Sequence, residues 1–149
     1  LDYQTKLSGP LLDRIDLNIF VPAIMASDLS SSRVGEPTAD IAKRVHLARQ
    51  RQEQRYERLL KEDGGEKITG VTNARLPVKY LKDVAAPDER GRAILNQAAD
   101  KFKLSARGYH RILRVARTLA DLEGAEHVKY HHITEAINYR QMATVPEAA

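Results

Sequence analysis

The sequence contains no cysteine and no tryptophan, and aromatic residues make up only 5% of it. Without cysteine, the chain cannot form a disulfide scaffold, a thiolate metal site or a cysteine nucleophile, and it fits a reducing compartment. Because aromatic residues are so few, the core must be built from Leu, Ile, Val and Ala, which favours helix packing over a β-sandwich. No apolar run is long enough to span a membrane, and we expect no signal peptide from the first residues.

The charged residues of the chain are unevenly distributed. The 149 residues are 42% hydrophobic and 30% charged, which suits one soluble domain and part of another, and the formal net charge is +4. Between Lys101 and Arg117 there are six Lys or Arg residues and no acidic residue, whereas five acidic residues follow from Thr118 to the end. The basic charge is therefore local, which predicts a local anionic partner.

The beginning of the chain differs from the rest. The run "IDLNIFV", residues 15–21, has apolar side chains at alternate positions, which indicates a β-strand. One strand cannot form a sheet alone. We therefore predict that residues 1–25 are the end of an α/β domain whose other strands lie upstream, and that the Ser-rich residues 26–37 are a linker. Without its sheet, we expect the segment 1–35 to be extended, poorly ordered or paired with a second copy.

Residues 38–149 have helical periodicity and predict a bundle of about four helices. Thr38 is the expected N-cap of the first helix, which ends near Gly64. Its inward positions are Ile41, Val45, Ala48, Tyr56 and Leu59. Residues 66–80 have little periodicity and are interpreted as a loop.

Three further helices are predicted in the second half of the chain. One begins near Pro87, and its expected inner face consists of Ile94, Leu95, Ala98 and Phe102. The next begins after Ser105 as N-cap and ends at Gly124 in a left-handed conformation. The last covers residues 132–140, with Ile133, Ala136 and Ile137 directed inward.

The helix within "LSARGYHRILRVARTLADLEG", residues 104–124, carries a row of arginines. On a helical wheel Arg107, Arg111 and Arg114 lie opposite the apolar arc. His110 and Arg117 flank these three arginines, so none of the arginines is expected in the core. The row is either a solvated face or a set of phosphate contacts, to which arginine is well suited. Arg107 lies in the first turn, where free backbone N–H groups already attract an anion.

Several stretches together resemble a known family. The runs "LSGPLLDRIDL", "RVHLARQRQEQRY", "LSARGYHRILRVARTLADLEG" and "HHITEAINYR" are similar to the C-terminal third of magnesium-chelatase-like AAA+ ATPases of the ComM/YifB type. The resemblance extends over the whole chain. It implies a helical AAA+ lid domain of the magnesium-chelatase C-terminal type, preceded by a linker and by an orphan strand of the α/β ATPase core.

The resemblance also implies roles for individual arginines. In "GPLLDRID", Arg14 corresponds to the arginine finger, which acts in trans on the γ-phosphate bound by the neighbouring subunit. In "LSAR", Arg107 corresponds to sensor 2, which contacts the nucleotide of its own subunit. Arg111 and Arg114 are further candidates, either for the phosphates or for a subunit contact. From the residues alone, Arg14 would be a surface side chain paired with Asp13 or Asp16.

The nucleotide site itself must lie elsewhere in the parent protein. The chain has no G-x-x-x-x-G-K-[ST] motif and no strand that ends in paired acids. The resemblance implies that ATP and Mg²⁺ bind to an upstream ATPase core, and that this fragment alone binds no cofactor and is inactive. It implies a cytoplasmic bacterial parent without membrane contact, which forms a homo-oligomeric ring, taken to be a hexamer, and acts on DNA in branch migration.

Two other functions are open at this point, and two further features of the sequence are considered as binding sites. The parent could be the ATPase subunit of a metal-insertion chelatase, or the chain could be a stand-alone basic module that binds nucleic acid. The first helix is rich in Lys and Arg, and a solvated or subunit-facing helix is preferred to a DNA-binding one. His127, His131 and His132 lack the ligand set of a metal site, so we predict no metal and place His132 near a helix cap.

Overall fold

The computed structural model describes residues 14–19, 21, 23, 35–62 and 70–141. These residues form five α-helices, and no strand occurs among them. The helices are α1 (Thr38–Glu62), α2 (Val78–Val84), α3 (Glu89–Lys101), α4 (Ala106–Glu123) and α5 (Tyr130–Gln141). The fold is therefore mainly helical, as the sequence predicted. None of the helices described is both long and apolar enough to cross a membrane.

Helix α4 is the centre of the bundle. Its apolar stripe is buried and consists of Ile112, Leu113, Ala116 and Ala120. Helices α1, α2 and α5 all pack against α4, and α5 also packs against α3. Because the buried stripe recurs every three or four residues, it presents one continuous apolar surface to its neighbours. The arginines of α4 occupy the remainder of its circumference.

The two ends of α4 are fixed by local signals that the sequence predicted. The hydroxyl oxygen of Ser105 accepts a hydrogen bond of 3.0 Å from the backbone N–H of Gly108, which is the geometry of an N-cap. At the other end Gly124 has a φ of 84°, a left-handed conformation that glycine adopts without steric cost. Both predictions are confirmed, and the position of Arg107 in the first turn is thereby fixed.

A short parallel contact connects the beginnings of α3 and α5. Pro87 and Val128 form an isolated bridge, and the backbone N–H of Asp88 donates to the carbonyl oxygen of Val128 at 3.0 Å. The side chain of Asp88 accepts from the backbone N–H groups of Gly91 at 2.7 Å and Tyr130 at 3.2 Å. One carboxylate therefore satisfies N-terminal donors of two helices at once.

Two predictions at helix starts were wrong, and α5 also begins at Tyr130, two residues before its predicted start. Residues 78–80, which were interpreted as part of a loop, begin α2, a helix of seven residues. Seven residues are too few to show periodicity, and the signal that could have revealed this helix is Pro77 at its start. The backbone N–H of Ile41 donates to the carbonyl of Pro37 at 3.4 Å, so Pro37, not Thr38, is the N-cap residue of α1.

Three side chains that were predicted to face inward are exposed. Phe102 is 42% exposed because α3 ends at Lys101, so the helical periodicity no longer applies to the residue that follows. Ile41 and Val45 are exposed because the first three turns of α1 extend beyond the other helices. Burial of α1 in the bundle begins only at Ala48.

The strand expected at residues 15–21 is not formed by the described residues of that segment. Leu17, Ile19 and Val21 are 49%, 67% and 80% exposed, because no strand or apolar layer from the part of the chain that the structure describes covers them. The predicted linker lies outside the described residues, except for residues 35–37.

Candidate functional site

Arg107 occupies the second position of α4 and is exposed. No acidic side chain pairs with it among the residues that the structure describes. A Cβ atom on Gly108 would lie 3.0 Å from Nη2 of Arg140, so the guanidinium of Arg140 lies against the same helix end. The Arg140 guanidinium and the backbone of Arg107 therefore both lie at the positive end of the helix dipole, an arrangement that favours an anion.

Arg14 approaches the same end of α4 from the N-terminal segment. Its carbonyl oxygen accepts a hydrogen bond of 2.7 Å from Nη1 of Arg111, which lies one turn after Arg107. The side chain of Arg14 is exposed and, in the described part of the chain, has no acidic partner. We call the surface formed by Arg14, Arg107, Arg111 and Arg140 the basic corner.

Asp16 pairs with Arg111 and not with Arg14. Nη1 of Arg111 donates to Oδ1 of Asp16, and the Arg111 side chain is only 15% exposed. The surface pairing of Arg14 with Asp16, which was the alternative from the residues alone, is therefore not formed. Asp13, the other acidic candidate for that pairing, lies outside the described residues.

Arg114 and Arg117 point away from the basic corner. Nη2 of Arg114 donates to the carbonyl oxygen of Leu76 at 3.0 Å, which attaches α4 to the loop before α2. Arg117 donates to the carbonyl oxygens of Ala125 at 2.7 Å and Glu126 at 2.8 Å, in the turn that follows α4. The expectation that the arginines of α4 lie outside the core is wrong for Arg117, which is 1% exposed.

Arg117 is buried because an acidic residue lies beside it. Asp121 is one turn further along α4, is itself fully buried, and accepts hydrogen bonds from both Arg117 and Arg55. Burial lowers the pKa of Arg117, and the adjacent Asp121 carboxylate opposes that effect. Burial would also lower the pKa of Arg55, but the hydrogen bond to Asp121 and the charge of that carboxylate, together with smaller contributions from Tyr56, raise it overall. The carboxylate thus compensates the charge of two guanidiniums at the interface between α1 and α4.

Several cations of α1 are engaged within the chain. Arg51 donates to the backbone carbonyl of Asp121 at 2.9 Å, and Arg55 donates to its carboxylate. Arg44 pairs with Glu36, and Lys61 lies 3.3 Å from a carboxylate oxygen of Glu57. The basic charge that α1 offers to solvent is therefore smaller than its sequence indicates, although Lys43, Arg49 and Arg58 are exposed.

A cluster of Glu123, His131 and His132 brings three ligand-type atoms within 4.8 Å of one another. His132 uses Nδ1 to accept a hydrogen bond of 2.9 Å from the backbone N–H of Lys129. In neutral imidazole the other nitrogen then carries the proton, so Nε2 donates to Glu123 and has no lone pair for a metal. The cluster is therefore better suited to capping α5, as predicted for His132, than to metal coordination.

A surface groove of about 530 Å³ lies at the opposite end of α4 from the basic corner. Residues 124–128 line it together with positively and negatively charged side chains, among them Arg51, Arg58, Glu62 and Asp83. Its charge is mixed, and the C-terminal end of a helix repels anions. None of the arginines predicted as site residues, Arg14, Arg107, Arg111 and Arg114, lines this groove.

Comparison with known proteins agrees with this architecture. The family described as magnesium chelatase, subunit ChlI C-terminal, matches residues 35–140, and the family described as magnesium chelatase, subunit ChlI, matches residues 1–29. The competence protein ComM of Haemophilus influenzae is 36% identical over 141 residues, and the uncharacterized YifB proteins of Salmonella typhimurium and Escherichia coli are 34% and 33% identical. These alignments cover 94% of the chain but only 25% of each relative.

Proposed function

Because the matches cover nearly its whole length, this chain belongs to the magnesium chelatase ChlI family, and we propose that it is the helical lid of an ATP-hydrolysing AAA+ motor. The chain spans about a quarter of the length of its relatives. In this proposal the ATPase core belongs to a part of the parent protein upstream of this chain. The lid would act by bringing cationic groups to a nucleotide that the core holds.

The observation that carries this proposal is the difference in exposure and hydrogen bonding among the arginines. Arg14 and Arg107 are exposed, whereas Arg114 and Arg117 are engaged with backbone carbonyls of the chain itself. A guanidinium without a carboxylate partner is available for a phosphate group, to which it can bind in a bidentate manner. We propose Arg107 as the sensor that contacts the nucleotide of its own subunit, and Arg14 as the finger that acts on the neighbouring one.

The residues of the basic corner fit the phosphates of ATP better than they fit Mg²⁺. Guanidiniums and helix N–H groups are anion ligands, whereas Mg²⁺ requires oxygen ligands. Among the residues that the structure describes, Asp16 is the acidic side chain that contacts the corner, and it pairs with Arg111. Mg²⁺ would therefore be held by the upstream core, where it would neutralise charge on the phosphates. Arg107 and Arg14 would orient the phosphates and stabilise their charge.

The test is a comparison of two variants of the full-length protein. Arg14→Ala should lower ATP hydrolysis by about 10³-fold or more while leaving ATP affinity nearly unchanged, as for an arginine supplied in trans. Arg107→Ala should weaken nucleotide affinity or its coupling to hydrolysis. If both variants hydrolyse ATP at the rate of the unmodified protein, the two assignments are wrong. The absence of a P-loop within about 200 residues upstream, one domain length, would contradict the AAA+ assignment itself.

For the parent protein we propose action on DNA, in branch migration, by a ring that is taken to be a hexamer. The relative from Haemophilus influenzae is named a competence protein, which supports this choice. DNA should stimulate the ATPase of the full-length protein, and the stimulation should fall steeply with salt because phosphate contacts release counterions. A full-length protein whose ATPase ignores duplex and single-stranded DNA would favour the chelatase alternative, in which ATP hydrolysis drives metal insertion.

The nucleic-acid module without an ATPase is tested on this chain directly. Because Arg51 and Arg55 are occupied by Asp121, we expect weak binding of duplex or single-stranded DNA at low salt. Micromolar, salt-sensitive binding by the chain alone would favour the module over the lid.

A further inference from the structure

Arg111 joins the N-terminal segment to the lid. Its Nη1 donates both to the carbonyl oxygen of Arg14 at 2.7 Å and to the carboxylate of Asp16. We infer that Arg111 is a positioning residue, which fixes the backbone that carries Arg14 against α4 and so sets the reach of Arg14. This inference rests on the function proposed for Arg14.

The contact is made to the backbone of Arg14 itself. The hydrogen bond goes to the carbonyl of Arg14 itself, so it fixes the peptide group next to the Cα atom from which that side chain departs. A group that stabilises a transferring phosphoryl group must be held close to its productive position, because an error of about 1 Å can cost about 100-fold in rate. An exposed arginine on an unanchored segment would not meet that requirement.

A second contact anchors the same segment two residues after Asp16. The backbone N–H of Asn18 donates to the carbonyl oxygen of Tyr139 in α5 at 2.9 Å. The segment 14–18 is therefore attached to α4 at one end and to α5 at the other. Together the two contacts keep the segment next to the helix end that carries Arg107, since Arg107 and Arg111 are neighbours at i and i+4 on α4.

The contacts of Arg111 argue against a direct role in binding nucleotide. Its side chain is 15% exposed, whereas the Asp16 side chain that covers it is 45% exposed. A phosphate that approached Arg111 would have to displace a carboxylate of the same charge. Arg111 is therefore better placed to act through Arg14 than to contact the substrate.

The experiment compares variants of the full-length protein by steady-state ATPase kinetics and by hydrogen–deuterium exchange of the peptide that spans residues 14–19. Arg111→Ala should lower kcat about 10-fold to 100-fold, leave KM for ATP within about twofold, and increase deuterium uptake in that peptide. Asp16→Ala should change the same quantities in the same direction. Arg111→Lys, which keeps one donor, should recover part of kcat. Arg92→Ala, a charge removed from the exposed face of α3, should change none of them.

The double variant Arg14→Ala/Arg111→Ala separates positioning from direct contact. It should be no slower than Arg14→Ala alone, because without the Arg14 side chain there is nothing left to position. An Arg111→Ala variant with unchanged kcat and unchanged exchange would overturn the inference. A raised KM with unchanged exchange would also overturn it, and would make Arg111 a nucleotide contact. If Arg14→Ala hydrolyses ATP normally, the proposed function fails, while the exchange measurement still decides whether Arg111 holds the segment.

Discussion

Arg117 and Asp121, one turn apart on α4, form an ion pair that is almost completely buried. Nη2 of Arg117 lies 2.9 Å from Oδ1 of Asp121, and the two side chains are 1% and 0% exposed. Arg55 of α1 adds a second guanidinium to the same carboxylate. The remaining donors of Arg117 are satisfied by the carbonyls of the turn after α4. A buried pair of this kind stabilises a fold only while every member is present.

Removal of Asp121 should therefore destabilise the chain strongly. In Asp121→Ala, two guanidiniums would remain near the core without their carboxylate, which costs about 3–5 kcal/mol when one partner of a buried pair is lost. The measurement is the free energy of unfolding of this chain from urea denaturation. Glu53→Gln, which removes an exposed acid from α1, is the control and should change stability by less than about 0.5 kcal/mol. Equal stabilities of the two variants would show that the pair is not buried in solution.

Tyr56 reports on the same interface through its own ionisation. Burial raises the pKa of Tyr56 to about 12, and its hydroxyl donates to Oδ1 of Asn73. Since the folded pKa lies above the usual value of 10, the contribution of Tyr56 to stability is complete below pH 10 and is lost as pH rises toward 12.

The variant Tyr56→Phe tests both the hydrogen bond from Tyr56 to Asn73 and the raised pKa of Tyr56. It leaves the Asn73 oxygen without its donor, which should cost about 1–3 kcal/mol at neutral pH. It should also remove a tyrosine that ionises near pH 12 in a spectrophotometric titration of the folded chain. If the tyrosine that the variant lacks ionises near pH 10 in the unmodified chain, Tyr56 is not buried.

The two N-caps of the second half differ in the number of helices that they serve. The carboxylate of Asp88 accepts from donors at the start of α3 and of α5, whereas the hydroxyl of Ser105 caps α4. Each cap contributes about 1 kcal/mol, so Asp88→Ala should lower the free energy of unfolding more than Ser105→Ala does. If thermal unfolding shows Ser105→Ala to be the more harmful change, the double cap is not formed.

Glu123 should make stability depend on pH in acid. The hydrogen bond from His131, which has the larger effect, and the hydrogen bond from His132 lower the pKa of Glu123 from 4.5 to about 2. Because the folded pKa is depressed, the contribution is present above pH 4.5 and is lost as pH falls toward 2. In urea denaturation across this range, the difference in stability between the unmodified chain and Glu123→Gln should shrink as pH falls. A difference that stays constant would show that the histidines do not hold this carboxylate.

The parts of the fold that the sequence predicted correctly depend on neighbours within one or two turns. Ser105 and Gly124 mark the ends of α4 because a cap and a left-handed stop each involve only a few consecutive residues. The same is true of the inward face of α5, where Ile133, Ala136 and Ile137 are buried as predicted. These signals are local, so no knowledge of the tertiary structure was needed.

The burial of Arg117 could not be predicted in this way, because its environment comes from distant parts of the chain. A helical wheel placed it beside the polar face, but Arg55 and the turn at Ala125 close over it. Asp121 at i+4 was the available signal, since an arginine can be buried when a carboxylate one turn away accompanies it. The anchoring of Arg14 by Arg111 spans 97 positions of sequence, and no local pattern could predict it.

The most direct test of the central claim, that Arg14 acts in trans and Arg107 in cis, is ATP hydrolysis by mixed assemblies of the full-length protein. Each variant, Arg14→Ala or Arg107→Ala, is mixed with a subunit whose own upstream nucleotide site is disabled but whose arginines are intact. We predict that activity returns with Arg14→Ala, since the partner supplies the missing finger, and does not return with Arg107→Ala. Failure of Arg14→Ala to recover, or recovery of both variants, would contradict the account.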